Sequence, residues 1–230
     1  MQWWLGKSSW IKLLGIASLL GLLAFATTWY VCVGRPDAYA NYRKVLADHH
    51  KRLARSITSS SHVFLGASTM QGLDVSQVAL NSINLSIGSE TLAALSHRLH
   101  QYPKIHHAAA VYILAGYNDL CDAGETQTLR ALAATLEFIG KSPDINVIGL
   151  QLELFASGCN GINNRITGYN QAAGQLCGSV SNCRFIDPNP FLKGADGLPA
   201  AEYYEADGLH LNEQGYRALV RGLKAVLPAH

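Results

Sequence analysis

Over most of its length the chain alternates short apolar runs with stretches of helical periodicity. The runs cover residues 62–65, 82–85, 108–115, 146–152 and 184–186, and the helical stretches lie near 73–79, 90–101, 125–140, 163–176 and 213–226. Runs that are apolar throughout, rather than at every second position, belong to strands buried on both faces. The pattern therefore predicts a mostly parallel sheet covered by helices, an α/β domain. In open parallel sheets ligands bind outside the carboxyl ends of the strands, so the residues just after each strand are where chemistry is to be sought.

The first part of the chain has a different pattern. Residues 13–33 are uncharged and mostly apolar, about the twenty residues that a transmembrane helix requires. Lys7 and Lys12 form a short basic flank, and Trp3, Trp4, Trp10, Trp29 and Tyr30 suit the membrane interface. The run is longer than a signal-peptide core, which favours an uncleaved anchor over cleavage near Ala26 or Ala40. Residues 37–56 are rich in helix formers with few apolar anchors and read as a solvated helical connector. Its Arg43, Lys44, Lys51, Arg52 and Arg55 form a wet face, with attachment to anionic headgroups the weaker reading. The expected organisation is an anchor over 1–35, a connector over 36–57 and a globular domain over 58–230.

Composition narrows the function. A chain of 230 residues, 49% hydrophobic and 15% charged, can build one sizeable core. A net charge of +2, with no basic stripe interleaved with aromatics, sets nucleic acid aside as a partner. The basic residues after the apolar run outnumber those before it, which by itself would hold the domain in the cytoplasm. The cysteines argue the other way: with Cys32 inside the run, Cys121, Cys159, Cys177 and Cys183 remain as an even set, as expected in an oxidising compartment. The domain is therefore expected to face the periplasm or cell exterior. Of the three possible pairings, a parallel sheet favours Cys121 with Cys159, which follow adjacent strands, and Cys177 with Cys183, which close a short loop.

The strand ends carry few polar residues. Ser68 follows the first strand in "VFLGASTMQGL", Gly88 and Ser89 follow the second, Asn118 follows the third, and Asp207 and His210 come near the end of the chain. A serine in Ser68's place is more often a helix cap than a nucleophile, and the stretch lacks the glycine two residues later that a nucleophile elbow needs. Taken together, however, these positions contain every part of an acyl-transfer site: Ser68 as nucleophile, His210 as base, Asp207 to orient it, and oxyanion donors. The donors would be the Asn118 amide and the backbone N–H groups of Ser68 and of the Gly88–Ser89 segment.

These segments resemble the four blocks of the SGNH hydrolases, the GDSL esterase/lipase family: "GAST", "NLSIGSET", "LAGYNDL" and "DGLHLNEQGY", in family order from about Val63 to the end. The resemblance implies a flavodoxin-like three-layer α/β/α fold, a serine esterase acting on an acyl ester such as an acylated lipid or an O-acetylated glycan, and no metal or organic cofactor. Transfer to an acceptor other than water uses the same residues. The chain departs from the family pattern twice. Ala67 stands where the family usually has Asp, so an intact nucleophile on a differently braced turn is expected. In the second block Ser89 stands at the usual oxyanion glycine, with Gly88 one residue early. Both departures motivate the alternative of a non-catalytic, membrane-tethered module that binds a glycan or a protein.

Other polar residues have plainer readings. Asp119 is expected to cap the turn that follows it, and Asp187 to start one. His62, His97, His100, His106 and His107 lack partners at ligand spacing and read as surface or helix-face histidines rather than metal ligands. Glu202 and Glu205 belong to a solvated loop, and Glu153 lies near the cleft edge. Residues 121–128 and 155–162 are the loops expected to set the substrate.

Overall fold

A computed structural model describes residues 4–32, 39–141, 143–155 and 159–227. Two compact units are present, Met1–Asn41 and Tyr42–His230. The first is dominated by helix α1, Trp4–Cys32, whose described side chains, including Leu19, Leu23, Phe25 and Trp29, are exposed. Among the described residues no helix is long and apolar enough to cross a membrane. The side chains described in α1 are those of residues 15–30, which fall short of the about twenty that a span takes. The transmembrane helix expected over 13–33 is therefore not found there. Trp3 and Val33 lie outside the described residues, as do 156–158 of an expected substrate loop.

The second unit holds a five-stranded sheet in the order β2-β1-β3-β4-β5. The strands are β1 His62–Gly66, β2 Ser82–Asn84, β3 Ala110–Leu114, β4 Asp144–Ile148 and β5 Cys183–Ile186. All neighbours pair in parallel, with His62 opposite both Ser82 and Ala110, and Ile145 opposite Cys183. β1 and β3 are buried at every position, as their continuous apolar runs require. The helices are α2 Ala40–Leu53, α3 Ser68–Gln71, α4 Leu92–Leu99, α5 Tyr117–Asp122, α6 Glu125–Ile139, α7 Ile162–Gly178 and α8 Glu213–Val226. Helices α4, α6 and α7 pack against one another in sequence, and α8 meets α3 where the Tyr216 hydroxyl donates to Thr69 O, giving the three-layer α/β arrangement. Strand order reverses between β1 and β3, so the crevice for a ligand opens at their carboxyl ends.

Three expectations are corrected. The helix expected near 73–79 is only a 3₁₀ turn, Val75–Gln77, and the helix of this connection instead starts at Ser68. The fourth strand, expected to run to Leu152, ends at Ile148 because side chains replace its partners. Asn170 bonds both Leu150 N and Leu150 O at 2.8 Å, and Asn189 Oδ1 accepts Leu152 N at 2.8 Å. Helix α5, Tyr117–Asp122, has no counterpart among the expected helical stretches. His62 is also not a surface histidine: it is buried in β1, its Nδ1 3.1 Å from the Tyr112 hydroxyl.

Helix α2 is less solvated than a connector should be. His50 on it is buried, and its Nδ1 has no partner among the described residues. Burial, reinforced by the nearby charges of Arg98 and His49, pushes the His50 imidazole down to about 4, against a smaller upward effect of its bond to the Leu85 backbone. In the unfolded chain this ring binds its proton near its ordinary value of about 6.5. The unfolded state thus holds more protons between these values, and folding stability falls as pH drops from about 6.5 towards 4. His50→Leu should flatten that fall, an effect of about 2 kcal/mol read from urea midpoints at pH 7 and pH 4.5.

Candidate active site

β1 delivers the chain to Ser68 through a close approach to β3. A Cβ on Gly66 would sit 2.2 Å from the Leu114 carbonyl oxygen, so glycine ends the strand, and Ala67 N donates to that same oxygen at 3.2 Å. Ala67, not Ser68, occupies the N-cap position of α3, in extended backbone. The Ser68 side chain is thereby spared from capping, and its Oγ lies 3.0 Å from His210 Nε2.

His210 is presented by a tight loop. Asp207 Oδ1 accepts Leu209 N and His210 N, both at 2.9 Å, while Oδ2 lies 2.6 Å from His210 Nδ1. Gly208 supplies the positive φ of 68° that the turn demands. Glu205 N donates to His210 O at 2.8 Å, and Asn212 both caps α8 through Gly215 N and donates to Tyr204 O, closing the loop onto the helix. Partial burial pushes the Asp207 carboxyl up, but hydrogen bonds from the His210 ring, from His210 N and from Leu209 N, with the His210 charge, outweigh it and leave it at about 2. The carboxylate facing His210 is therefore ionised at any working pH.

Of the expected oxyanion donors, Ser68, Ser89 and Asn118 line one cavity of ≈ 210 Å³ together with His210, whereas Gly88 is not among its lining residues. The Gly88 N–H is taken by Gln71 Oε1 at 2.8 Å. The N–H groups of Ser68 and Ser89 make no hydrogen bond among the described residues. Ser89 has a φ of 60°, a left-handed conformation that glycine would adopt without strain. The displaced glycine of the second block thus leaves its conformation behind on Ser89. Asn118 Nδ2 donates one hydrogen to Glu90 O at 2.9 Å, and the amide has a second to offer. Asn118→Ala should lower kcat for a short-chain ester by about 10²–10³-fold, the usual cost of one oxyanion donor. Steady-state kinetics with unchanged circular dichroism checks this.

Residues that sequence reasoning missed brace this frame. Thr69 is fixed at both ends, its Oγ1 by Gln151 Nε2 at 2.8 Å and its carbonyl by the Tyr216 hydroxyl at 3.0 Å. Asn84 Nδ2 donates to Met70 O at 2.9 Å at the end of α3. The turn is held without an acid at position 67. Asp119 does not cap its own turn. Its carboxylate accepts Leu92 N at 2.6 Å and Ala93 N at 3.2 Å, joining α5 to the first turn of α4. Glu153 is buried and accepts from the Tyr117 hydroxyl, which lines the cavity; burial, then this bond and the Glu153 charge, push the Tyr117 phenol well up. None of these pairings has a local signal, since the partners lie 14 or more residues apart.

The cysteines pair as Cys121–Cys159 and Cys177–Cys183, with Cα separations of 5.7 and 5.3 Å. The first ties the end of α5 to the loop after β4, and the second ties α7 to β5. Glu202 and Glu205 are exposed, and Asp187 Oδ1 accepts Asn189 N at 3.0 Å in a turn. His106 Nδ1 lies 3.0 Å from Ile139 O. Among the described residues no group of three or more His, Cys, Asp and Glu side chains is placed to hold a metal. Another cavity, of ≈ 170 Å³, lies at the amino ends of β4 and β5 beside Asp144 and Arg184, away from the strand ends that carry Ser68 and Asn118.

The model of the GDSL-like lipase/acylhydrolase family matches residues 56–218, most of the chain. The chain belongs to that family. Solved structures similar to this GDSL-like chain share its fold. A platelet activating factor candidate from Streptococcus pneumonia is 19% identical with a TM-score of 0.71, covering 90% of this chain and 98% of its own. A GDSL-like lipase from Bacteroides thetaiotaomicron is 17% identical with a TM-score of 0.66, covering 78% and 95%. The lipase/acylhydrolase from Enterococcus faecalis is 21% identical with a TM-score of 0.58, covering 74% and 98%. No curated protein matches this GDSL-like chain. The match is to a family of hydrolases, and the α/β architecture agrees with it.

Proposed function

We propose that this chain is a serine esterase that removes or transfers a short acyl group, with Ser68 as nucleophile, His210 as general base and Asp207 orienting the imidazole. The observation that carries this reading is the unbroken chain of contacts Ser68 Oγ to His210 Nε2 at 3.0 Å and His210 Nδ1 to Asp207 Oδ2 at 2.6 Å. Ser68 Oγ attacks the ester carbonyl carbon as His210 Nε2 takes its proton. Charge gathers on the carbonyl oxygen, for which Ser68 N–H, Ser89 N–H and the second Asn118 Nδ2 hydrogen are the proposed donors, all three residues lining the cavity. Collapse expels the alcohol, which leaves with the proton from His210, and the acyl group stays on Ser68. Water, or an acceptor hydroxyl, then loses its proton to His210, attacks the acyl carbon and frees Ser68.

Substrate size follows from the cavity. A volume of ≈ 210 Å³ walled partly by Ala67, Leu114, Ala115, Leu150 and Leu209 suits a short, uncharged acyl group. The alcohol side, a glycan or lipid hydroxyl, would lie towards Phe155, an exposed ring beside Gly208. A tether through residues 13–33 and a place on the export side belong to the same proposal. They are supported by the uncharged apolar run in the sequence and by the two disulfides, which persist in oxidising compartments. A fluorophosphonate probe tests the core of the reading: the wild-type chain labels and Ser68→Ala does not. Labelling that survives the substitution would place the nucleophile elsewhere. Nitrophenyl acetate and butyrate should be cleaved faster than the decanoate.

A further inference from the structure

One glutamine joins helix α2 to the loop that carries Ser89. Gln71 ends α3, three residues after Ser68. Its Oε1 accepts Gly88 N–H at 2.8 Å, and its Nε2 lies 2.6 Å from the Tyr42 hydroxyl on α2. The backbone N–H can only donate, so the amide oxygen must face it, and the NH₂ then faces Tyr42, whose oxygen accepts. Gly88 sits wedged among these groups. A Cβ there would stand 2.8 Å from Gln71 Oε1 and 3.9 Å from both Ser68 Cβ and the Tyr42 hydroxyl.

The consequence concerns the next peptide. The Ser89 N–H belongs to the unit between Gly88 and Ser89, and the torsions of Gly88 decide where that unit points. Glycine is the residue least able to hold those torsions unaided. On the far side the loop is secured, because Glu90 is paired with buried Arg98 and its carbonyl is bonded to Asn118. On the near side, Gln71 bonds Gly88 N and Asn84 Oδ1 accepts Ser86 N at 3.1 Å. We propose that Gln71 is a positioning residue for the Ser89 oxyanion donor, and that Tyr42 sets the Gln71 amide, which makes α2 a working part of the active site. This rests on the esterase reading above. It also accounts for how the second block functions with its glycine one residue early: the glycine is held and the serine donates.

The test uses the full chain and the variants Gln71→Met, Gln71→Glu and Tyr42→Phe. Methionine keeps the length of the side chain and neither polar atom. Gln71→Met should lower kcat by about 10–100-fold with KM within about twofold, as expected for a donor that works only in the transition state. Gln71→Glu keeps an acceptor for Gly88 N–H and accepts from Tyr42, so it should recover at least about half of the lost activity on a logarithmic scale. Tyr42→Phe should cost about 3–10-fold, and adding it to Gln71→Met should cost nothing more, because both act through one bond chain. Hydrogen exchange at the Gly88 amide gives a readout independent of turnover, and should quicken by at least about tenfold in Gln71→Met. A Gln71→Met enzyme with wild-type kcat, or a Gln71→Glu enzyme as impaired as Gln71→Met, overturns the proposal. If the wild type shows no Ser68-dependent turnover, the esterase reading fails, and with it the positioning role. A Gly88 amide unprotected in an active wild type overturns the proposal alone.

Discussion

Ser68→Ala will reduce hydrolysis of nitrophenyl acetate by at least about 10⁴-fold while leaving the fold intact, as the proposed role of Ser68 as a nucleophile acting as a unit with its base requires. The Ser68 side chain is half-buried, and its Oγ lies 3.0 Å from His210 Nε2. Removing it opens no large cavity and strands no buried polar group, so urea and thermal midpoints should stay within about 0.5 kcal/mol of wild type. What remains is the oxyanion frame, which is held by groups other than Ser68 Oγ. Residual acceleration over water is therefore expected, on the order of 10³-fold. His210→Ala should fall to nearly the same level, and the double variant no further. Full additivity of the two losses would show that Ser68 and His210 do not act together.

The largest effect on stability is expected at Arg98, which lines neither of the two cavities described above. Its guanidinium forms a bidentate pair with Glu90, Nε to Oε1 at 2.8 Å and Nη2 to Oε2 at 2.6 Å, and both side chains are buried, Arg98 being 6% and Glu90 5% exposed. Nη2 also donates to Leu85 O at 2.9 Å, and Nη1 to the Tyr102 hydroxyl. Arg98→Met leaves the Glu90 carboxylate buried without its counterion, which costs about 3–5 kcal/mol. That is a large share of the 5–15 kcal/mol typical of a domain. The cost should appear in the urea midpoint and should shrink when Glu90→Gln is added, since the stranded charge is then removed as well. Activity should fall beyond what unfolding explains, because Glu90 follows Ser89 and its carbonyl fixes Asn118.

Much of this was legible in the chain. The continuous apolar runs at 62–65 and 110–114 implied buried parallel strands because burial on both faces leaves no polar alternation to read. Helices α6 and α8 were placed within a residue or two, since their periodicity is long and their ends are marked by Gly140 and by Asn212. The spacing of Asp207 and His210 was legible for a local reason, as a three-residue turn closed by an Asx bond is specified by the residues within it. The same locality explains the misreadings. The end of β4 was overrun because the apolar pattern continues to Leu152 while Asn170 and Asn189, distant in sequence, take over its hydrogen bonds. The stretch at 73–79 resembles a helix until Asp74 bonds Ser76 and Gln77 and stops it at a 3₁₀ turn.

By itself the sequence determined the layers of the fold, the strand ends where polar chemistry collects, and the four positions Ser68, Asn118, Asp207 and His210, because periodicity and short turns are properties of neighbouring residues. Only the tertiary structure decided which residue of the second block lines the cavity and what braces a Ser68 turn that lacks an acid at position 67. Gly88 and Ser89 are equally able to donate. Gln71 takes the Gly88 N–H and Arg98 holds Glu90, and both belong to other elements whose hydrogen bonds are set by the crossing of helices and strands.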